Sequence, residues 1–431
     1  MRRWIGLLAL LALLALAACD SEKASDPAAT ATQAATATPL PPTATAIPPT
    51  ATSPPTDAPA RSELAGPTAT PGDDYTPLEG HSLGPEDAAL TVVMYGDFQC
   101  EPCARYARDL EVLRSRYPDA MRLIWRHLPD TRAHDKAALA LQASEAAAAQ
   151  GQFWPMHDQL FTHQAEWRDL APEDFRATLS DYAATVGLDV DRFDAELDAG
   201  AYAPLIDGAL EDAAALELVG APTLLFNGIP YSGRDDLFGL EEGVRLALLA
   251  PRQFAAAPPM TIDPAGPLRA TIATEKGDIV IDLFPRDAPV TVNNFVFLAR
   301  SGWYDDNTFH YVLPGYLAQT GDPSGTGRGS PGYTIPGEHD NGLTFDRAGL
   351  VAMAHPPGTP DGAGSEFFIT LAPLAPPEEW NGQYTIFGVV VDGLDVVQSL
   401  TPRNANDPIN FPDPPPGDRV ISITITEGGE S

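Results

Sequence analysis

Apolar and polar positions cluster, alternate or fade in distinct stretches of this chain, and each behaviour predicts a different element. The run "AALTVVMYGDF" (88–98) is short, apolar and β-branched, the pattern of a buried strand. Directly after it, "PCARYARDLEVLRSRY" (102–117) repeats its apolar positions at helical spacing, with Pro102 where a first helical turn tolerates proline. Further on, "LRATIATEKGDIVIDLF" (268–284) alternates apolar and polar residues on both sides of Lys276-Gly277, which predicts a hairpin. Then "APVTVNNFVFLARSG" (288–302) reads as one amphipathic helix with Pro289 near its start, and short strands among Gly and Pro clusters follow. Many short strands with few helices predict a closed β-barrel.

Two stretches near the start behave otherwise. Arg2 and Arg3 precede "WIGLLALLALLALAA", too short for a comfortable membrane span but suited to the apolar core of a signal peptide. From Ser25 to about Asp74 the chain is mostly Ala, Thr, Pro and Ser, with no aromatic residue until Tyr75. Such a stretch cannot offset the entropy of ordering, so it is expected to be a disordered stalk, kept extended by its prolines over up to roughly 150 Å. The 431 residues suffice for two or three domains. With 26 Lys plus Arg against 59 Asp plus Glu, the chain would on average be repelled by a phosphate backbone, so nucleic acid is not an expected partner.

There are three cysteines. Leu16, Ala17, Ala18 and Cys19 end the apolar run as "LAAC", which resembles the lipobox of bacterial lipoproteins. That resemblance implies lipidation of Cys19 and a mature protein anchored to the membrane outside the cytoplasm. The other two, Cys100 and Cys103 in "FQCEPCARY", fall at the expected strand-to-helix junction. Free amides and the positive end of the helix favour a thiolate on Cys100 there. A zinc site would need more ligands: no second Cys pair exists, and His127 and His134 lack the short spacing of a finger. A purely structural bridge closing so small a loop would constrain the unfolded chain little. A reactive dithiol, with no metal and no cofactor, is the reading that results.

"MYGDFQCEPC", the Ala-rich helical insert running into "QGQFWPMHDQLF", and "VGAPTLLFNG" resemble, in that order, the DsbA-like branch of the thioredoxin superfamily. The resemblance implies an α/β thioredoxin-like fold with a helical insertion over residues 78–252, with Cys100 as attacking thiolate and Cys103 as resolving thiol. It also implies a cis Pro222 facing them. Two departures bear on the chemistry. Glu101 sets a negative charge beside Cys100 and opposes the helix dipole, and Met94 stands where many thioredoxins bury a carboxylate. The direction of electron flow, and the redox partner it requires, are not fixed by these residues.

After a linker at 253–266, which includes "AAAPPMTIDPAG", the motifs "FHYVLPGYLAQTGDPSGTGRGSPGY", "GLVAMAH", "GSEFFITL" and "GQYTIFGVVVDGLDVV" resemble the cyclophilin family of peptidyl-prolyl isomerases. The resemblance implies an eight-stranded barrel closed by two helices over residues 267–428, making the whole chain multidomain behind a leader (1–19) and stalk (20–77). It also implies a proline pocket of Tyr316, Leu317, Phe368 and Trp380, with Phe309 among the contacts and Gln319 and the backbone at His355 holding the peptide. The family's catalytic arginine position is Tyr311 here. A neutral hydroxyl in place of a guanidinium gives up about 1 to 3 kcal/mol of transition-state stabilisation, roughly ten- to a hundredfold in rate. Glu366 stands at a family glutamine position, and Trp380 lies one place out of the family register. Two functions follow as expectations, with unfolded or secreted polypeptides as clients. One is a bifunctional folding enzyme, exchanging disulfides and isomerising prolines; the other is a redox enzyme whose second domain only grips proline-containing peptides.

Overall fold

The computed structural model describes residues 80–404 and 416–427. Cys19, the leader, the stalk and the first residues of the expected 78–252 domain lie outside the described residues.

The first fold unit begins with β1 (His81–Leu83), β2 (Leu90–Gly96), α1 (Glu101–Arg116) and β3 (Met121–His127). Six helices are inserted next: α2 (Ala137–Ala148), α3 (Phe153–Thr162), α4 (Gln164–Trp167), α5 (Pro172–Thr185), α6 (Val190–Asp198) and α7 (Pro204–Ala215). The unit closes with β4 (Thr223–Phe226), β5 (Ile229–Pro230) and α8 (Leu237–Leu249). The sheet order is β1-β3-β2-β4-β5. Strands β2 and β3 run parallel, whereas β4 is antiparallel to β2, with Tyr95 opposite Thr223. The apolar run at 90–96 thus sits in the middle of the sheet, its side chains in a core shared with Leu110 and Leu113 of α1, Phe153 and Met156 of α3, and Leu240 and Val244 of α8.

The second unit comprises β6 (Leu268–Thr274), β7 (Gly277–Leu283), α9 (Pro289–Arg300), β8 (Asn307–Thr308), β9 (Tyr311–Leu313), β10 (Leu317–Thr320), β11 (Leu350–Met353), β12 (Phe367–Thr370), β13 (Ile386–Asp392), α10 (Leu394–Gln398), β14 (Arg403–Asn404) and β15 (Arg419–Glu427). Pairing of Thr274 with Gly277 puts the hairpin turn at Glu275-Lys276, one residue earlier than the alternation suggested, and Gly277 takes a φ of +131° that glycine tolerates. Among the described residues the curled antiparallel sheet has ten segments in the order β14-β9-β10-β12-β11-β13-β7-β6-β15-β8. The ladder breaks at Phe309–His310, splitting one stretch into β8 and β9. These two pair toward opposite ends of the order, so the sheet curls back on itself at residues 307–313.

The stretch 253–266, expected to be a linker, is a packed segment. The described residues belong to one compact unit. Leu249, at the end of α8, is 4% exposed and belongs to the core of the second fold unit. Phe254 packs its ring 4.9 Å from Phe297 and 5.9 Å from Trp303, and its amide donates to the Pro331 carbonyl at 2.8 Å. Asn293 then holds the Thr261 amide (2.8 Å) and the Pro259 carbonyl (3.0 Å). Across the junction Arg328 meets Glu242 at 2.8 Å. The Pro- and Ala-rich composition suggested a tether, but Phe254 and Ile262 supply apolar anchors that bury against the barrel.

Candidate functional site

Strand β2 delivers the chain to the dithiol, and Asp97 shapes the turn between them. Its buried carboxylate accepts from the amides of Gln99 and Asp130 and from Nδ1 of His134, each at 2.8 Å. Cys100 is the N-cap of α1, and its Sγ accepts from the Cys103 amide at 3.1 Å, so one free amide of the helix end points at this sulfur. Cys100 and Cys103 are joined by a disulfide with Cα atoms 5.2 Å apart. Both are buried, Cys100 at 4% exposed and Cys103 at 0%. Gln164, buried at the start of α4, donates to the carbonyls of Phe98 (2.7 Å) and Cys100 (2.9 Å), tying the inserted helices to the dithiol loop.

The Ala221–Pro222 bond is cis, and Pro222 precedes β4, which pairs with the dithiol-bearing strand. The charge of Glu101, expected to oppose the helix dipole at Cys100, is paired with Arg168 at 2.9 Å, which offsets it. Met94 is buried core. The buried carboxylate nearest in sequence is Asp97, three residues before Cys100 rather than six.

Behind this loop lies a cluster that sequence spacing did not show. Glu145 Oε1 accepts from Nε2 of His81 (2.7 Å) and from Nε2 of His127 (2.8 Å). Burial alone would raise the Glu145 carboxyl, but the two histidine hydrogen bonds outweigh it and hold it down to about 2. Burial pushes the His127 imidazole below its usual value. The three residues have donor types suited to a metal ion. Their hydrogen-bond pattern does not fit one: the Trp125 indole, a donor only, gives its proton to Nδ1 of His127 at 3.2 Å. A metal on Nε2 would shift the imidazole proton to Nδ1 and set donor against donor. The cluster is a hydrogen-bonded clamp joining β1, β3 and α2. His134, the other histidine weighed for zinc, is on Asp97 instead.

In the second unit, register builds a row of side chains across neighbouring strands. Tyr311 of β9 lies opposite Gln319 of β10, Gln319 opposite Phe368 of β12, and Phe368 opposite Ala352 of β11. Around this row an aromatic cluster separate from the main barrel core gathers Tyr316, Leu317, Phe345, Phe368, Trp380 and Tyr384, with Tyr311 packed against it. Trp380 meets Tyr316 edge-on at 5.6 Å and stacks on Tyr384 at 5.2 Å; Tyr384 stacks on His355 at 4.4 Å. Gln319 Nε2 donates to Glu366 Oε2 at 2.6 Å. His355 is tied to the Pro356 and Gln383 carbonyls, both within 2.9 Å.

The arrangement is an aromatic cluster with a polar edge of Tyr311, Gln319 and Glu366. It suits a compact apolar ring flanked by carbonyl groups. Against known proteins, residues 269–424 match the sequence model of the cyclophilin type peptidyl-prolyl cis-trans isomerase/CLD family, and residues 76–242 match a thioredoxin model. A peptidyl-prolyl cis-trans isomerase of Synechococcus elongatus is 44% identical over 159 residues, 36% of this chain and 95% of that protein. The chain belongs to the cyclophilin-type peptidyl-prolyl cis-trans isomerase family. It also carries a thioredoxin-like domain.

Peptidyl-prolyl cis-trans isomerase A of Mycobacterium tuberculosis is 40% identical over 185 residues, 39% of this chain and 97% of that protein. The Na(+)/H(+) antiporter NhaA 1 of Mycolicibacterium gilvum is 39% identical over 168 residues, 38% of this chain, but the chain spans only 26% of that relative's length. A solved cyclophilin-type isomerase of Cryptosporidium parvum has 32% identity, covers 37% of this chain and 99% of its own, and has a TM-score of 0.33.

Of the cyclophilin positions, Tyr311, Tyr316, Leu317, Gln319, His355, Glu366, Phe368 and Trp380 meet in one region. Phe309 does not. It is 0% exposed in the main barrel core, because the ladder break between β8 and β9 turns its ring inward while its amide bonds the Asp418 carbonyl. It presents no face to a ligand. Trp380, despite its shift in register, packs in the pocket, since the short 3-10 turn at Pro377–Glu379 sets its ring against Tyr316. Sequence reading missed Tyr384 and Phe345, which line the same cluster. Tyr384 was within reach, four residues beyond Trp380 in a quoted motif.

Proposed function

We propose that this chain is an extracytoplasmic, lipid-anchored folding factor that exchanges disulfides in its thioredoxin-like domain and isomerises X-Pro bonds in its cyclophilin domain. The row Tyr311–Gln319–Phe368 beside the aromatic cluster carries the second half of that reading. Rotation about an X-Pro bond must break amide resonance, a barrier of about 20 kcal/mol, with no bond made or cleaved. In this reading Phe368, Leu317 and Tyr316 grip the proline ring, and Gln319, oriented by Glu366, holds a flanking carbonyl. The Tyr311 hydroxyl is the donor nearest the prolyl nitrogen as it pyramidalises.

The redox half rests on the placement of the dithiol. A client thiolate attacks Sγ of Cys100, the Cys100–Cys103 bond breaks, and Cys103 leaves as a thiolate. A second client thiolate then attacks the client sulfur of the mixed disulfide, releasing Cys100 as a thiolate. The client gives up two electrons and the dithiol gains them; the reverse sequence reduces a client, and an external redox partner resets the pair in either case. The N-cap position of Cys100, whose Sγ accepts from the Cys103 amide, and the complete burial of Cys103 support these roles. A DsbA-like assignment is supported by the six inserted helices.

Tyr311 supports a second reading, in which the cyclophilin domain binds prolyl peptides without accelerating them. A protease-coupled assay of proline-peptide isomerisation on the full chain separates the two. The folding-enzyme reading expects weak acceleration by wild type and a rise of roughly tenfold or more in kcat for Tyr311→Arg. Peptide binding with no acceleration in either protein favours the binding module. Wild-type turnover equal to that of an arginine-bearing cyclophilin would show that a neutral hydroxyl serves as well as a cation.

A further inference from the structure

The polar edge of the prolyl pocket carries a negative charge with little to balance it. Glu366 is a partly buried carboxylate, 14% exposed in its side chain. Its Oε2 accepts from the neutral amide of Gln319 at 2.6 Å. His310 Nε2 lies 3.3 Å from the same oxygen but makes no hydrogen bond. Among the described residues no lysine or arginine pairs with Glu366, and no donor reaches its Oε1. A charge so placed, half out of water and held by one neutral donor, gains more from an approaching cation than a surface carboxylate does.

The walls around it favour the same kind of guest. Tyr316, Trp380 and Tyr384 are all only partly buried, and Trp380 packs against both of the others. Electron-rich ring faces attract ammonium and guanidinium groups. Glu378 and Glu379 are exposed immediately before Trp380 in the chain. The net charge of −33 adds a long-range pull on cationic clients.

We propose that this site selects proline-containing peptides with a lysine or arginine beside the proline, Glu366 being the counter-charge and the pocket aromatics the cation's platform. The inference rests on the reading of the pocket as a prolyl-peptide site. It gives Glu366 a role beyond orienting Gln319, since orientation alone would be blind to the client's charge.

The test uses the full chain and a peptide series that varies only in the residue before or after the proline: Lys, Ala or Glu. Titration calorimetry should give affinities in the order Lys, Ala, Glu, with steps of roughly three- to tenfold, and the spread should narrow at high salt. Glu366→Gln, which keeps an acceptor for Gln319, should flatten the series. Equal affinity for the Lys and Glu peptides in wild type would overturn the proposal whether or not the variant folds. An order that Glu366→Gln leaves unchanged would also overturn it. Failure of all three peptides to bind would sink both this inference and the prolyl-site reading, whereas a charge-blind series that still binds sinks only the inference.

Discussion

Replacing Glu145 by glutamine isolates one charge in the clamp behind the dithiol. Both histidine Nε2 atoms donate to Oε1, and an amide oxygen can accept the same bonds, so the change removes charge and keeps shape. The Glu145 carboxyl is held down to about 2 against an ordinary value of 4.5, and its side chain is 15% exposed, so solvent screening is modest. At 1.36 kcal/mol per unit this corresponds to on the order of 3 kcal/mol of stability at pH 7. For a depressed carboxyl the contribution is complete above the unfolded value of 4.5 and is lost as pH falls through about 2; near pH 3 roughly 1.5 kcal/mol is left. His127 adds a separate acid sensitivity. Its folded value is lowered by burial, so below the unfolded value of 6.5 the unfolded chain binds a proton that the folded chain refuses. Urea unfolding of the full chain, followed by near-ultraviolet circular dichroism from pH 3 to 8, reads both effects. Glu145→Gln should be less stable than wild type by about 3 kcal/mol at pH 7, and by roughly half that at pH 3. A gap that does not change with pH, or a variant more stable than wild type at neutrality, would refute the reasoning.

Gln164→Leu leaves the Phe98 carbonyl without its donor in a buried loop, so it should lower stability by roughly 1 to 3 kcal/mol and speed alkylation of the reduced dithiol. Thermal unfolding together with iodoacetamide kinetics checks it; wild-type values in both would show that the loop does not depend on this side chain. Cys103→Ser should accumulate mixed disulfides with clients on Cys100, while Cys100→Ser should abolish exchange. Trapping by Cys100→Ser in its place would reverse the assigned roles. Cys19→Ala should move the protein from the membrane fraction to the soluble fraction on cell fractionation, and retention in the membrane would rule out the lipid anchor.

What the sequence made legible, and what it hid, divide along a physical line. Local patterns were readable because neighbours in the chain decide them: the strand at 90–96, the helix opened by Pro102, the helix opened by Pro289 and the paired runs around residue 276 all formed where apolar spacing placed them. Pairings between distant residues were not readable. Glu145 lies 64 residues from His81, and Gln164 also lies 64 from Cys100, so no spacing rule connects them. Phe309 shows a subtler limit. Strand alternation puts it on the same face as Tyr311, but alternation holds only while the ladder is intact, and here it breaks between the two residues. Glu366 shows why composition at a site is not yet chemistry. Read alone, it was a charge at odds with the pocket; bonded to Gln319 and with no lysine or arginine paired to it among the described residues, it is, on the proposal above, half of an ion pair whose other half the client would bring. An acidic residue that replaces a neutral one at a binding site therefore need not signal decay of the site, because the same substitution that weakens one class of ligand strengthens its charge complement.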